Sequence, residues 1–166
     1  MKNPAIKSLF CIVLICACLF SGCARRDKRT DNILYEICAS LSLPAGETFL
    51  SDAKEGEANF LSRDTADSLY GKGCVERTFP LIAEYAVYIS SFAEPCEVAV
   101  FKCYSRTDTD TVSEMCLERA DEISVLLKNT EYASVDARII TRQKYVVMLL
   151  CEDTDKAAEA ARKALK

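Results

Sequence analysis

Cys23 is the residue whose surroundings most directly specify a chemistry. It follows Ser21 and Gly22, two small residues that leave the backbone open to a peptidase, and an unbroken apolar run of twelve over residues 9–20. Lys2 and Lys7 place positive charge around the start of that run. A run of this length suits the core of an export signal and is shorter than the roughly 20 residues a spanning helix needs. A cysteine at such a junction can carry diacylglycerol on its sulfur and become the new N-terminus once the preceding peptide bond is cut. The expectation is a signal peptide over residues 1–22, a lipidated anchor and basic linker over 23–30, and one folded domain over 31–166. An uncleaved signal anchor, with Cys23 an ordinary thiol, is the alternative.

Beyond the anchor, the reactive side chains are sparse. The chain has no histidine, which removes Ser-His-Asp and Cys-His arrangements and makes a zinc site improbable. Ser-Lys catalysis would still be open, but no S-x-x-K with supporting motifs occurs. Of ten cysteines, Cys11, Cys16, Cys18 and Cys23 belong to the signal and anchor. The others, Cys38, Cys74, Cys96, Cys103, Cys116 and Cys151, form no C-x-x-C pair. They read as small buried hydrophobes or as at least one disulfide, and sequence assigns no pairing.

Asp108-Thr109-Asp110 and its echo Asp153-Thr154-Asp155 could hold a hard cation, yet both sit where carboxylates cap helices, and a glycine-turned calcium loop is missing. No metal or cofactor is expected. Arg119 interrupts an apolar helix stripe, either to meet an anionic ligand or, structurally, to snorkel past the core edge or pair with Glu122. Tyr85, Tyr88, Phe92, Phe101 and Tyr104 gather on one hairpin as sheet core or as a binding surface.

These groups need elements to hold them. Apolar spacing predicts a helix over 31–43, with Asp31 as N-cap and Pro44 as its stop. A polar, turn-rich stretch follows, with a short strand near Phe49, then a helix over 62–70 closed by Gly71. Strands are expected over 85–91 and 97–104, joined by a turn at 92–95. A long helix to about Lys128 begins with a Thr111/Glu114 capping box. A hairpin of 137–141 and 144–151 turns around Arg142 and Gln143, and a last helix spans 154–165. The two halves can be overlaid, EVAVFKCYSRTDTDTVSE on KYVVMLLCEDTDKAAE, with Cys103 on Cys151. The expected fold is α+β: a two-layer ββαββα arrangement, a mostly antiparallel four-stranded sheet with helices on one face, preceded by N-terminal helices.

The formal charge is −4, and loss of Lys2 and Lys7 makes the remaining chain more negative, so nucleic acid is not an expected partner. Arg25, Arg26, Lys28 and Arg29 either attract anionic headgroups or form a solvated linker.

The stretch Leu19-Phe20-Ser21-Gly22-Cys23 resembles a bacterial lipobox, with Phe20 where leucine is commoner. Together with the N-terminal helix, LYG at 69–71, EYAVYISSF at 84–92, EVAVFK at 97–102, the helix bearing Arg119 and KYVVMLLC at 144–151, it resembles the bacterial lipoprotein family built on the domain of unknown function 4358. The resemblance covers residues 31–166 and implies exported, anchored proteins of the same ββαββα plan, without an assigned activity. The expected function is a non-enzymatic binding or scaffolding module at the extracytoplasmic face of the cell membrane, held through the lipid on Cys23, with an envelope protein as partner. The alternatives are a small-ligand-binding lipoprotein and, third, an uncharacterised envelope enzyme.

Overall fold

The computed structural model describes residues 27–91 and 94–166. Cys23, the signal segment, Arg25, Arg26 and Phe92 lie outside them. In chain order the elements are α1 (Thr30–Cys38), β1 (Gly46–Leu50), α2 (Arg63–Tyr70), α3 (Cys74–Arg77), β2 (Ile82–Ser90), β3 (Glu97–Cys103), α4 (Thr109–Leu127), β4 (Ala137–Arg142), β5 (Tyr145–Leu150) and α5 (Thr154–Ala164). The five strands form one sheet in the order β1-β2-β3-β5-β4, every neighbouring pair antiparallel. Because β5 lies between β3 and β4, the long α4 crosses over the sheet before β4 and β5 fold back as a hairpin.

The fold is α+β as expected, but the sheet has five strands rather than four. The fifth is β1, the short segment around Phe49, which pairs with β2. Helices also cover both faces of the sheet instead of one. The cause lies in the two central strands. Nearly every residue of β3 and all of β5 is buried, so neither face can be left to water.

On one face Val98, Val100, Val147 and Leu149 meet Ile33, Leu34 and Ile37 of α1 and the alanine stripe Ala157, Ala158, Ala161 and Ala164 of α5. The small side chains let α5 lie close to the sheet. On the other face Ala99, Phe101, Cys103, Val146 and Met148 meet Ala66 and Tyr70 of α2 and Val112, Met115 and Cys116 of α4. Burying each such large apolar side chain contributes about 1.5–3 kcal/mol. Cys103 and Cys151 consequently fall in different cores, on opposite faces, so the overlay of the two halves does not extend to the packing.

Helix ends follow local chemistry, with two departures from expectation. Ser62 caps α2 by accepting from the Thr65 amide at 3.1 Å, and Gly71 leaves the helix at φ 89°. Asp153 caps α5 through the Lys156 amide at 3.1 Å. Before α4, however, the capping box is Ser105/Asp108, on a single 3-10 turn, rather than Thr111/Glu114. At α1 the N-cap position is Arg29, and no side chain there closes the helix. Glu84, from β2, does so instead, accepting from the Thr30 amide at 2.9 Å and the Thr30 hydroxyl at 3.1 Å. The helix itself ends at Cys38, before Pro44.

Candidate functional site

The two ends of the sheet differ in chemistry. At the end where β3 finishes and β5 begins, residues 27–29 run against the domain as a strap. Lys28 Nζ donates to the Ala164 carbonyl at 2.7 Å, and the Tyr145 hydroxyl donates to the Lys28 carbonyl at 2.8 Å. Asp27 pairs with Lys144 at 2.5 Å and Lys102 at 3.6 Å, and Lys102 also reaches Glu84 at 3.7 Å. The hydrogen bond from Lys144 holds the Asp27 carboxyl below its usual range. Arg29 pairs with Asp31 and Asp52. The linker expected over 23–30 is therefore docked from residue 27 onward. Only three residues lie between Cys23 and Asp27, four Cα–Cα steps with a reach of at most about 14 Å.

The opposite end, where β3 begins and β5 finishes, carries a groove of about 720 Å³. Three connections shape it. Leu41, Leu43 and Pro44 come from the segment after α1, Pro95 and Cys96 from the approach to β3, and Cys151 and Asp153 from the turn into α5, with Tyr132 and Lys156 at the sides. The walls mix apolar side chains with Glu94, Glu152, Asp153 and Lys156, as suits a segment with both greasy and charged residues. Seven residues of β3 separate this groove from the strap, about 23 Å of strand.

Beside the groove lies a smaller pocket of about 230 Å³, lined by Leu69, Ile89, Ile123, Leu150, Cys96, Glu97 and Arg119. At its floor is a buried polar triad. Glu97 is 2% exposed. Its Oε2 accepts from Arg119 Nε at 3.1 Å and Nη2 at 3.0 Å, and its Oε1 accepts from the Tyr70 hydroxyl at 3.1 Å. The partner of Arg119 is thus Glu97, across the core on β3, and not Glu122 on its own helix. Burial pushes the Glu97 carboxyl above its ordinary value, against the opposing pull of Arg119 and Tyr70. Burial and the Glu97 charge both push Tyr70 well up. With both carboxylate oxygens engaged, Glu97 is not a free base.

The remaining residues singled out from the sequence are dispersed. Asp108 and Asp153 cap separate helices. Asp155 pairs with Arg138 at 2.6 Å. Phe101 packs edge-on against Tyr70, 5.5 Å between centroids, while Tyr104 is exposed. None of the six cysteines from Cys38 to Cys151 is bridged to another in this structure. Three of them, Cys38, Cys96 and Cys151, gather on the α1/α5 face. Among the described residues no group of three or more Cys, Asp or Glu side chains is arranged to hold a metal ion. No helix among them is long and apolar enough to cross a membrane. A search of family models, curated proteins and solved structures finds no match to this chain.

Proposed function

We propose that this chain is an extracytoplasmic binding module tethered to the cell membrane by a lipid on Cys23, with the groove at the far end of the sheet as its binding surface. The observation that carries the reading is the separation of the two ends. The strap lies at the end of the domain next to Cys23 in the chain, and the groove opens about 23 Å away along the same strands. A tether of three residues between Cys23 and Asp27 keeps the strap end against the bilayer and turns the groove outward, toward an envelope protein. Tethering also raises local concentration without any new contact. The lipobox-like junction over residues 19–23 supports the same reading.

Two measurements test it. Metabolic labelling with a fatty-acid probe should mark the wild type and leave Cys23→Ser unmarked and released from membranes. A photo-crosslinking residue at Leu43 or Lys156, beside the groove, should capture one and the same envelope protein, whereas the same residue at Gln143, at the strap end, should not. Equal capture from both ends, or none from the groove, would refute the placement of the binding surface.

A second reading has one observation in its favour. The 230 Å³ pocket combines apolar walls with convergent polar groups, the pattern of a small-ligand site. Its volume is below the usual range of such sites, so the groove is preferred.

A further inference from the structure

We propose that Cys96 and Cys151 form a cross-strand disulfide on the floor of the groove, made by exchange with a disulfide-bearing oxidant such as an exported dithiol oxidoreductase. The β3–β5 register runs from Lys102↔Tyr145 to Glu97↔Leu150. One further step places Cys96 directly opposite Cys151.

The hydrogen-bond phase decides how close that pair lies. Cys103 donates to the Lys144 carbonyl at 2.7 Å, so the odd-numbered residues of β3 address β5. Cys96 is even-numbered and turns its backbone toward β2. Its carbonyl accepts from the Ser90 amide at 2.8 Å, and its amide donates to the Ser90 hydroxyl at 2.6 Å. Toward β5 it therefore stands in a non-hydrogen-bonded position, where facing Cα atoms approach to about 4.5 Å. That is inside the range a disulfide spans. Both side chains belong to the same face and the same core, each only 5% exposed, and both border the groove. An oxidant can reach them there. Cys74, Cys103 and Cys116 are sealed in the opposite core.

The exchange takes two steps. Contact with Cys96 draws the Cys151 thiol below its ordinary value, which favours Cys151 as the first thiolate. Cys151 attacks one sulfur of the oxidant's disulfide, forming a mixed disulfide and releasing one oxidant thiolate. Cys96 then loses its proton to water, attacks the Cys151 sulfur and expels the second thiolate. Two protons leave the protein, and two electrons reduce the oxidant to its dithiol.

Cys38, at the end of α1, is the competitor. It packs against the same cluster and lies within electrostatic reach of both thiols. It is on a helix, however, and no strand register holds it opposite either partner.

The full chain, isolated from membranes, is alkylated without reductant, digested and mapped by mass spectrometry. It is then equilibrated across glutathione/glutathione disulfide ratios. The expected result is a peptide carrying Cys96 joined to one carrying Cys151, about 2 Da lighter than the reduced pair. Cys38→Ser should retain this link. Cys96→Val and Cys151→Val should lose it, together with the rise in unfolding midpoint that oxidation gives the wild type. Complete alkylation of Cys96 and Cys151 under the most oxidising ratio would overturn the proposal. A link from Cys38 to either thiol, or an oxidation-dependent midpoint in the valine variants, would overturn it equally.

Discussion

Replacing Arg119 with methionine keeps the apolar stem and removes the charge that faces Glu97. Two hydrogen bonds to Glu97 Oε2, at 3.1 and 3.0 Å, disappear, and only the Tyr70 hydroxyl continues to serve the carboxylate. Each charge-assisted bond is worth about 1.5–3 kcal/mol. Breaking a buried pair by deleting one partner costs about 3–5 kcal/mol. The variant should therefore lose about 3–5 kcal/mol near pH 8, a large share of the roughly 5–15 kcal/mol typical of a domain.

The loss should also depend on pH. Burial raises the Glu97 carboxyl above its unfolded value, so the folded state holds that proton more tightly than the unfolded state does. Stability from the proton is fully present below the unfolded pKa and fades as pH rises through the folded pKa. Without Arg119 the folded pKa moves higher still, because the attraction and hydrogen bonds that held it down are gone. The destabilisation should shrink as pH falls from about 8 to about 5, and Glu97→Gln/Arg119→Met should recover most of the loss at pH 8. Urea unfolding of the four members of this cycle measures it. A single-variant loss below about 1 kcal/mol, or one independent of pH, would refute a buried ion pair here.

Three other perturbations have expected outcomes. Ser62→Ala removes the cap on the Thr65 amide and should cost about 1 kcal/mol, read as a lower urea midpoint at unchanged slope. Gly46→Ala drives a methyl group against the Ile89 carbonyl and the Tyr88 ring, and should cost about 1–3 kcal/mol by the same assay. Tyr145→Phe deletes the donor to the Lys28 carbonyl. It should loosen the strap by about 1 kcal/mol, seen as faster proteolysis after Lys28 or Arg29 with the groove unaffected.

Most elements could be read from sequence because local chemistry and packing agree there. Ser62 and Gly71 bracket α2, and Asp153 opens α5, as their side chains or backbone freedom require. The departures share one cause, contacts between segments distant in the chain. Glu84 closes the start of α1 from 54 positions away, and nothing near Asp31 signals it. β1 forms only because β2 offers it an edge. The two-sided burial was accessible: YVVMLL in β5 has no polar alternation, the pattern of a strand covered on both faces. The partner of Arg119 was accessible in part. Glu97 alternates with Ala99, Phe101 and Cys103, so its side chain had to point into the same core as theirs. An arginine on a core-facing helix stripe and a carboxylate on an apolar strand face are natural counterparts. Their pairing still required the crossover of α4 to be known. The groove was not legible, because it is made by three connections and not by any periodic element.

The Lys28 bond to the Ala164 carbonyl has a practical meaning for handling the molecule. It sets residue 28 beside the final turn of α5, so anything fused after Lys166 emerges at the strap end of the domain, away from the groove. A fluorescent reporter or purification tag joined there would leave the groove clear. An insertion meant to face the surroundings belongs at the other pole, in the turn between β2 and β3.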